Sequence, residues 1–437
     1  MKRFITTIKN IFAIEELRVR IINTLGFLLI FRLGSYVVLP GVDSSQLGEA
    51  QGIFGLLDVF LGGAFSRASI FALGIMPYIS ASIVLQLLTV AVPYFQKMQK
   101  EGESGRKKIT QITRVLTIVI TLAQGTGYLA ATIPAEAIII DPALFRIAAM
   151  IILTAGTIFC MWLGEKITDK GIGNGISMLI MIGIIARLPG ELVFEASAKG
   201  MSGALLFIIE ILALYFVVMG VVMLTQATRR VPVQYAKQVV GKKVYGGQRQ
   251  YIPLKVNSSG VMPIIFAQSL MFLPAMIASI WSDTSDLAVY IGSTFSNILS
   301  WQYNLVFAIM IILFTFFYTA ITVNPNQIAD DMKRNGGFIP GIKPGKPTSE
   351  FIDNILSKIT LPGSFFLAIV AILPAFATLA GVSQGFSQFY GGTSLLIMVG
   401  VILDTLQQIE SYLLMRHYEG MMKSGKIKGR SQNAAVA

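Results

Sequence analysis

Long apolar runs separated by short polar or glycine-rich segments dominate the chain. A bilayer core about 30 Å thick needs roughly 20 apolar residues per helix. Ten stretches meet or approach that length: Ile21–Leu39, Ile75–Tyr94, Val115–Ile133, Ile147–Leu163, Gly173–Ile185, Ala204–Leu224, Val261–Trp281, Tyr303–Val323, Leu361–Ala380 and Ser394–Leu414. The fifth is short and is entered through Gly171-Ile172-Gly173-Asn174-Gly175. The pattern predicts an all-α polytopic membrane protein with ten transmembrane helices. Residues 1–20 have basic residues at both ends and no uninterrupted apolar core. They read as an amphipathic helix on the membrane face rather than a cleavable signal.

One apolar stretch does not fit the ten. Ile53–Leu61 is followed by Gly62-Gly63 and then Ser66-Arg67. Its apolar part makes only about 14 Å of helix. It cannot cross. It is either a re-entrant element, tolerated at membrane depth where protein buries it or a cavity adjoins it, or an apolar loop packed on the bundle.

Basic residues orient the spans, because cytoplasmic segments are rich in Lys and Arg. With the N-terminus inside, thirty of the 35 basic residues fall on cytoplasmic segments. The others are Arg32, Arg67, Arg146, Arg187 and Lys199. Both termini are therefore expected in the cytoplasm, with a tail at 415–437. Five spans in 21–200 and five in 201–414 suggest two halves of inverted topology.

Composition narrows the function. Hydrophobic residues make up 54% and charged residues 13%, against about 25% charged in soluble domains. Mean hydropathy is +0.69. One Cys and one His cannot make an internal disulfide or a nitrogen/sulfur zinc site. A catalytic triad would need His417, which lies in the tail region. The chain has no phosphate-cradling glycine loop followed by Lys and Ser/Thr, so energy for uphill transport would come from a partner or a gradient. No cofactor is implied.

Charged residues within spans are few, and each costs about 2.5–3.5 kcal/mol near a span centre. Arg32 can snorkel to the outer end. Glu210 is in the outer third of its span, and Asp404 and Glu410 are in the inner half of theirs. The lack of a midplane carboxylate cluster argues against an ion-coupled carrier. A largely Ile, Leu, Val and Met interior suits an apolar constriction better than an ion-selective pore.

Residues 225–260 carry seven basic residues and no acidic one. Alternation in Val231–Tyr235 and Lys243–Tyr251 around Gly241 predicts an extended hairpin. Its charge is either simple topology bias or a surface for RNA phosphates or an acidic protein face. In the loop 324–360, Pro and Gly around Lys343 shape a defined tip.

Several motifs resemble the SecY family, the channel subunits of the bacterial Sec protein translocase. They include the run Gly62–Ile83 (GGAFSRASIFALGIMPYISASI), Lys100-Glu101-Gly102-Glu103-Ser104-Gly105-Arg106 and Met161-Trp162-Leu163-Gly164-Glu165. Others are Gly171-Ile172-Gly173-Asn174-Gly175-Ile176-Ser177, Pro253-Leu254-Lys255-Val256-Asn257, the Pro340-Gly341 loop and Gly391-Gly392-Thr393-Ser394-Leu395-Leu396-Ile397. They run through the chain in family order.

The resemblance implies a protein-conducting channel of the bacterial plasma membrane, built as an hourglass from two inverted five-helix halves. It implies a plug at Ile53, Phe54, Gly55, Leu56, Leu57, Asp58, Val59, Phe60, Leu61, Gly62 and Gly63. It implies a waist at Ile75, Ile79, Ile176, Ile180, Ile265 and Ile397. A lateral gate is implied between spans two and three and spans seven and eight. There Gln86, Gln124, Asn257 and Gln268 either hold the gate or serve ordinary helix packing. Arg229, Arg230, Lys242, Lys243 and Lys343 are implied to dock the SecA motor ATPase or the ribosome. Lys343 stands where the family typically has Arg, which keeps charge but loses the bidentate fork. SecE and SecG are implied as small membrane partners, and signal-bearing precursors and lipid as the other contacts. A secondary transporter for a small solute is the competing reading. An intramembrane enzyme lacks a catalytic set.

Overall fold

The apolar runs fold as helices whose ends are set by local chemistry. The computed structural model describes residues 12–48, 58, 61–200, 203–235, 238–240, 243–245, 249–268, 270–271, 290, 292–295, 297 and 299–423. In the first half the helices are α1 (Glu15–Gly34), α2 (Met76–Ala91), α3 (Pro93–Lys100), α4 (Glu103–Thr132), α5 (Pro142–Lys170) and α6 (Gly175–Lys199). Next come α7 (Ala204–Gln226) and strands β1 (Thr228–Tyr235), β2 (Gln238–Val240), β3 (Lys243–Tyr245) and β4 (Arg249–Lys255). A helical stretch at 262–268 follows. The chain continues with α8 (Trp301–Thr322), α9 (Pro325–Arg334), β5 (Gly337–Phe338), α10 (Lys346–Leu379), α11 (Gln384–Ser387) and α12 (Gly392–Lys423).

Capping residues explain several starts. Asp141 accepts from the amides of Ala143 and Leu144, with Pro142 in the first turn of α5. Asn174 accepts from Ile176 and Ser177 at α6. Asn324 does the same for α9. Each satisfies amides that a helix start leaves unpaired.

Among the described residues, seven helices are long and apolar enough to span, or eight with the bent α2–α3 pair as one. Two of the ten expected spans account for the difference. Helix α1 holds five charged residues among its twenty. Much of the seventh stretch, Val261–Trp281, lies outside the described residues.

Several expected boundaries move. Helix α1 begins at Glu15, so residues 15–20 are continuous with the apolar stretch that starts at Ile21. It ends at Gly34, and Leu39 instead donates its amide to the Ala68 carbonyl (2.8 Å). The second span turns by 102° at Val92 into α3. Helix α6 runs to Lys199, fourteen residues beyond Ile185. It continues because the charges that interrupt its apolar run are paired: Arg187 with Asp58 and Glu191, and Lys199 with Glu195 and Glu210.

The basic loop after α7 forms the expected hairpin in two tiers. β1 pairs antiparallel with β4, and β2 with β3 around 241–242. β5, from the second long loop, adds to the other edge of β1, giving the order β4-β1-β5. Val231, Val233 and Leu254 pack with Met332, Ile339, Ile352 and Leu356 into a small apolar core. The two long loops thus fold as one unit at the end of the bundle where α7 finishes.

Candidate functional site

Between Leu61 and Ile75 the chain is irregular and largely buried. Its backbone groups are met by protein. The Tyr128 hydroxyl donates to the Phe65 carbonyl (2.8 Å), and the Ile70 amide to the Val37 carbonyl (2.9 Å). This is the arrangement membrane-depth backbone requires outside a helix. The segment delivers the chain to the start of α2 at the centre of the bundle.

There the side chains are apolar. Ile75, Ile79, Ile180 and Ile397 are buried members of one cluster. Ile176 and Ile265 pack against it, half-buried. The six come from four helical stretches: the start of α2, α6, the 262–268 helix and α12. Phe266, Phe386 and Phe389 are fully buried in the same cluster.

Of the expected plug, the structure describes Asp58, Leu61, Gly62 and Gly63. Ile53, Phe54, Gly55, Leu56, Leu57, Val59 and Phe60 lie outside the described residues. Asp58 is 2% exposed. Its carboxylate accepts from the Ser66 amide (2.9 Å), the Ser66 hydroxyl (2.9 Å) and Arg187 (2.9 Å). The Gly62 carbonyl accepts from Arg32 (3.3 Å) and Arg67 (2.8 Å). Arg32 therefore turns toward the Gly62 turn rather than only toward the membrane surface. The Arg67 guanidinium also lies 4.3 Å from the Tyr36 ring centroid, a cation–π distance.

The four expected gate residues divide. Gln86 of α2 accepts a hydrogen bond from the Tyr318 hydroxyl of α8, across the two halves. Tyr318 also stacks edge-on against Phe266, with ring centroids 5.2 Å apart. Gln268 accepts from Thr393 at the start of α12. Asn257 accepts from its near neighbour Ser259 (3.2 Å). Gln124 is half-buried and makes no side-chain hydrogen bond among the described residues. Among the described residues, Gln86 alone of the four bonds across to the opposite half. Sequence reasoning missed Tyr318, which reads as one aromatic residue in an apolar span.

A second charged cluster, also missed, ties α6 to the other half. Lys199 bridges Glu195 (3.3 Å) and Glu210, and donates to the Gly381 carbonyl (3.1 Å). Glu195 accepts from the Ser383 amide (3.0 Å). The nearby Tyr390 hydroxyl is pushed above the usual phenol range, chiefly by burial, with Glu210 and Glu195 adding to it. A signal existed in the four-residue spacing of Arg187, Glu191, Glu195 and Lys199, which puts them on one helix face.

On the strand unit, Arg229 and Arg230 are exposed on β1, and Lys343 is exposed in the second loop. Lys243 lies on β3, and Lys242 is outside the described residues.

A helical membrane bundle of two halves, meeting at an apolar seam entered by a buried irregular segment, is the architecture of a channel. Residues 69–406 match the SecY family model. The chain is 44% identical to the protein translocase subunit SecY of Streptomyces coelicolor, covering 96% of this chain and all of that one. It is 40% identical to the same subunit of Mycobacterium tuberculosis, over 97% of this chain and all of that one. Among solved structures it resembles one described as "The structure of a protein conducting channel", with TM-score 0.65 and 17% identity over 90% of this chain and 92% of that one. It also resembles the structure described as "The plug domain of the SecY protein stablizes the closed state of the translocation channel and maintains a membrane seal" (TM-score 0.61, 18% identity, 90% and 92% covered). A third likeness is to canine Sec61 in the ribosome-channel complex from the endoplasmic reticulum (TM-score 0.61, 17% identity, 90% and 92% covered). The chain belongs to the SecY family. It is a protein-conducting channel subunit and not an enzyme.

Proposed function

We infer that this channel passes unfolded secretory proteins across a bacterial plasma membrane and releases signal sequences and transmembrane helices sideways into lipid. The observation that carries the reading is the convergence of six isoleucines from four helices on one buried seam. A narrow apolar ring excludes ions by dewetting, yet its side chains can part around a passing chain. Residues 53–63 are the plug. Residues 21–200 and 201–414 are the two halves that move. The basic bias of alternate segments supports cytoplasmic termini at both ends.

The strand unit supports docking at Arg229, Arg230, Lys242, Lys243 and Lys343. Its partners are the SecA motor ATPase and the ribosome, either of which supplies the energy. SecE and SecG complete the membrane complex.

Reconstitution in proteoliposomes with those small subunits, the motor ATPase, ATP and an unfolded precursor tests this reading. Protease-protected precursor is expected only with ATP. No protection, with partners bound and active, returns the chain to the solute-transporter reading.

The gate is the opening between α2 and α4 on one side and the 262–268 helix and α8 on the other. The Gln86–Tyr318 bond spans it. An interhelical hydrogen bond of this kind is worth about 1 kcal/mol, so Tyr318→Phe shifts the gate toward open by about fivefold. The phenyl ring keeps its contact with Phe266. Translocation of a precursor with a weakened signal sequence should rise. An unchanged rate removes Tyr318 from the gate.

A further inference from the structure

Three isoleucines of the apolar seam, Ile176 and Ile180 of α6 and Ile397 of α12, belong to one cluster although their helices lie on opposite sides of the boundary at 200–201. Polar contacts tie this helix pair at both ends. Near the N-terminal end of α6, the Gly173 amide donates to Gln408 of α12 (2.8 Å). A Cβ on Gly173 would come 3.1 Å from the Thr405 hydroxyl, so this turn rests directly on α12. Arg20 of α1 braces the same joint. It donates to the Gly171 carbonyl (3.2 Å) and lies 5.4 Å from the Tyr412 ring centroid. Near the C-terminal end, one face of α6 seats the segment that leads from α10 through α11 to α12. Lys199 donates to the Gly381 carbonyl (3.1 Å), and Glu195 accepts from the Ser383 amide (3.0 Å). A Cβ on Gly385 would overlap the Glu191 carboxylate. Glu191, Glu195 and Lys199 thus meet Gly385, Ser383 and Gly381 in antiparallel order.

The second joint is charged and buried. The Glu195 and Glu210 side chains are 1% and 8% exposed, and Lys199, which both share, is 13% exposed. Parting α6 from 381–385 takes the Ser383 amide from Glu195 and the Gly381 carbonyl from Lys199. A buried charge stripped of a partner is costly. Hydrogen bonds to ionised groups are also stronger than neutral ones. The Gln86–Tyr318 bond that spans the gate is neutral. When the halves separate, the gate side is the side that yields.

We propose that α6 and α12 form a fixed wall of the channel, pinned at both ends, about which the halves pivot when the gate opens. Glu195, Lys199 and Gln408 are positioning residues, and each acts through the backbone it holds. Together they keep Ile176 and Ile180 in register with Ile397. The ring then opens from one side only. Ile75 and Ile79, at the start of α2, and Ile265, on the 262–268 helix, withdraw with the gate helices from a wall that keeps its shape. The fixed wall rests on the gate reading.

The test bridges each seam with a short bifunctional thiol reagent in the full channel complex and measures precursor translocation. The one native cysteine, Cys160, is buried and does not compete. Glu191→Cys with Gly385→Cys places a bridge across the wall, and the first change removes the carboxylate that a Cβ at 385 would meet. Gln86→Cys with Tyr318→Cys places one across the gate. Relative to its unbridged form, the wall-bridged channel should keep its rate within about twofold, and the gate-bridged channel should lose about tenfold or more, because only the second bridge blocks the rigid-body motion. Lys199→Met should lower translocation by about fivefold, since it leaves two buried carboxylates uncompensated. The wall bridge should restore that rate by replacing the lost tie. If the wall bridge blocks translocation as the gate bridge does, the wall parts on opening and the proposal is wrong while the gate stands. If the gate bridge is harmless, the gate reading falls and the wall with it. If no bridge forms between reactive thiols at 191 and 385, the joint does not exist. If Lys199→Met translocates like the parent, the charged cluster does not hold the wall.

Discussion

Replacing Ile79 and Ile180 together by serine makes the resting channel leak ions. Both side chains are buried in the central cluster, 7% and 8% exposed. They reach it from different helices, α2 and α6. Serine removes most of the apolar surface and adds a hydroxyl that can bind water. A constriction that gates by dewetting loses that property when its lining becomes polar, and conductance should rise by about tenfold or more. The control is Ile151→Ser, at a position on α5 that is 65% exposed. It changes polarity equally and should leave conductance unchanged. Core isoleucine truncations cost about 2–5 kcal/mol each, so retained protease resistance must accompany the measurement. A folded double variant that stays sealed would falsify the ring.

The second large effect falls on Gly175, the first residue of α6. A Cβ there would lie 1.9 Å from the Gly164 carbonyl oxygen and 2.7 Å from the Ile167 Cβ, both on α5. Contacts this short do not occur, and a backbone carbonyl cannot rotate away as a side chain can. Gly175→Val therefore forces α5 and α6 apart at the turn that joins them. Overpacking of this kind costs about 1–3 kcal/mol and occasionally more. The next residue is Ile176, so the shift also displaces part of the apolar seam. The expected result is a lower unfolding temperature in detergent, by at least about 3 °C, with impaired translocation. Gly26→Ala is the comparison: nothing lies within 4 Å of a Cβ at that position. An unchanged unfolding temperature for Gly175→Val would show that the two helices are not closely packed there.

Where legibility ended is clearest in α6. Its apolar run stops at Arg187, and a count of apolar residues ends the span there. The helix continues for three more turns because Arg187, Glu195 and Lys199 each find a partner on another segment, and Glu191 pairs with Arg187 on the same face. Arg187 reaches Asp58, 129 positions earlier in the chain, and Glu195 reaches the Ser383 amide, 188 positions later. No local window contains those partners. The gate shows the same limit. Gln86, Gln124, Asn257 and Gln268 look alike as single polar residues in or beside apolar runs, yet among the described residues only Gln86 hydrogen-bonds to the opposite half, and its partner Tyr318 is 232 positions away.

Apolar run lengths and motifs along the chain are enough to mark a multi-span helical membrane protein and the family it belongs to. Both follow from local quantities. The bilayer sets the length of each apolar run, and glycine, proline and capping residues mark the breaks. Which of many similar isoleucines share one buried seam, and which carboxylate answers which guanidinium, is settled by the three-dimensional packing. It also decided that β5, from a separate loop, completes the sheet begun by β1. Those outcomes depend on how helices far apart in the chain pack, and a buried polar group is tolerated only where that packing supplies its partner.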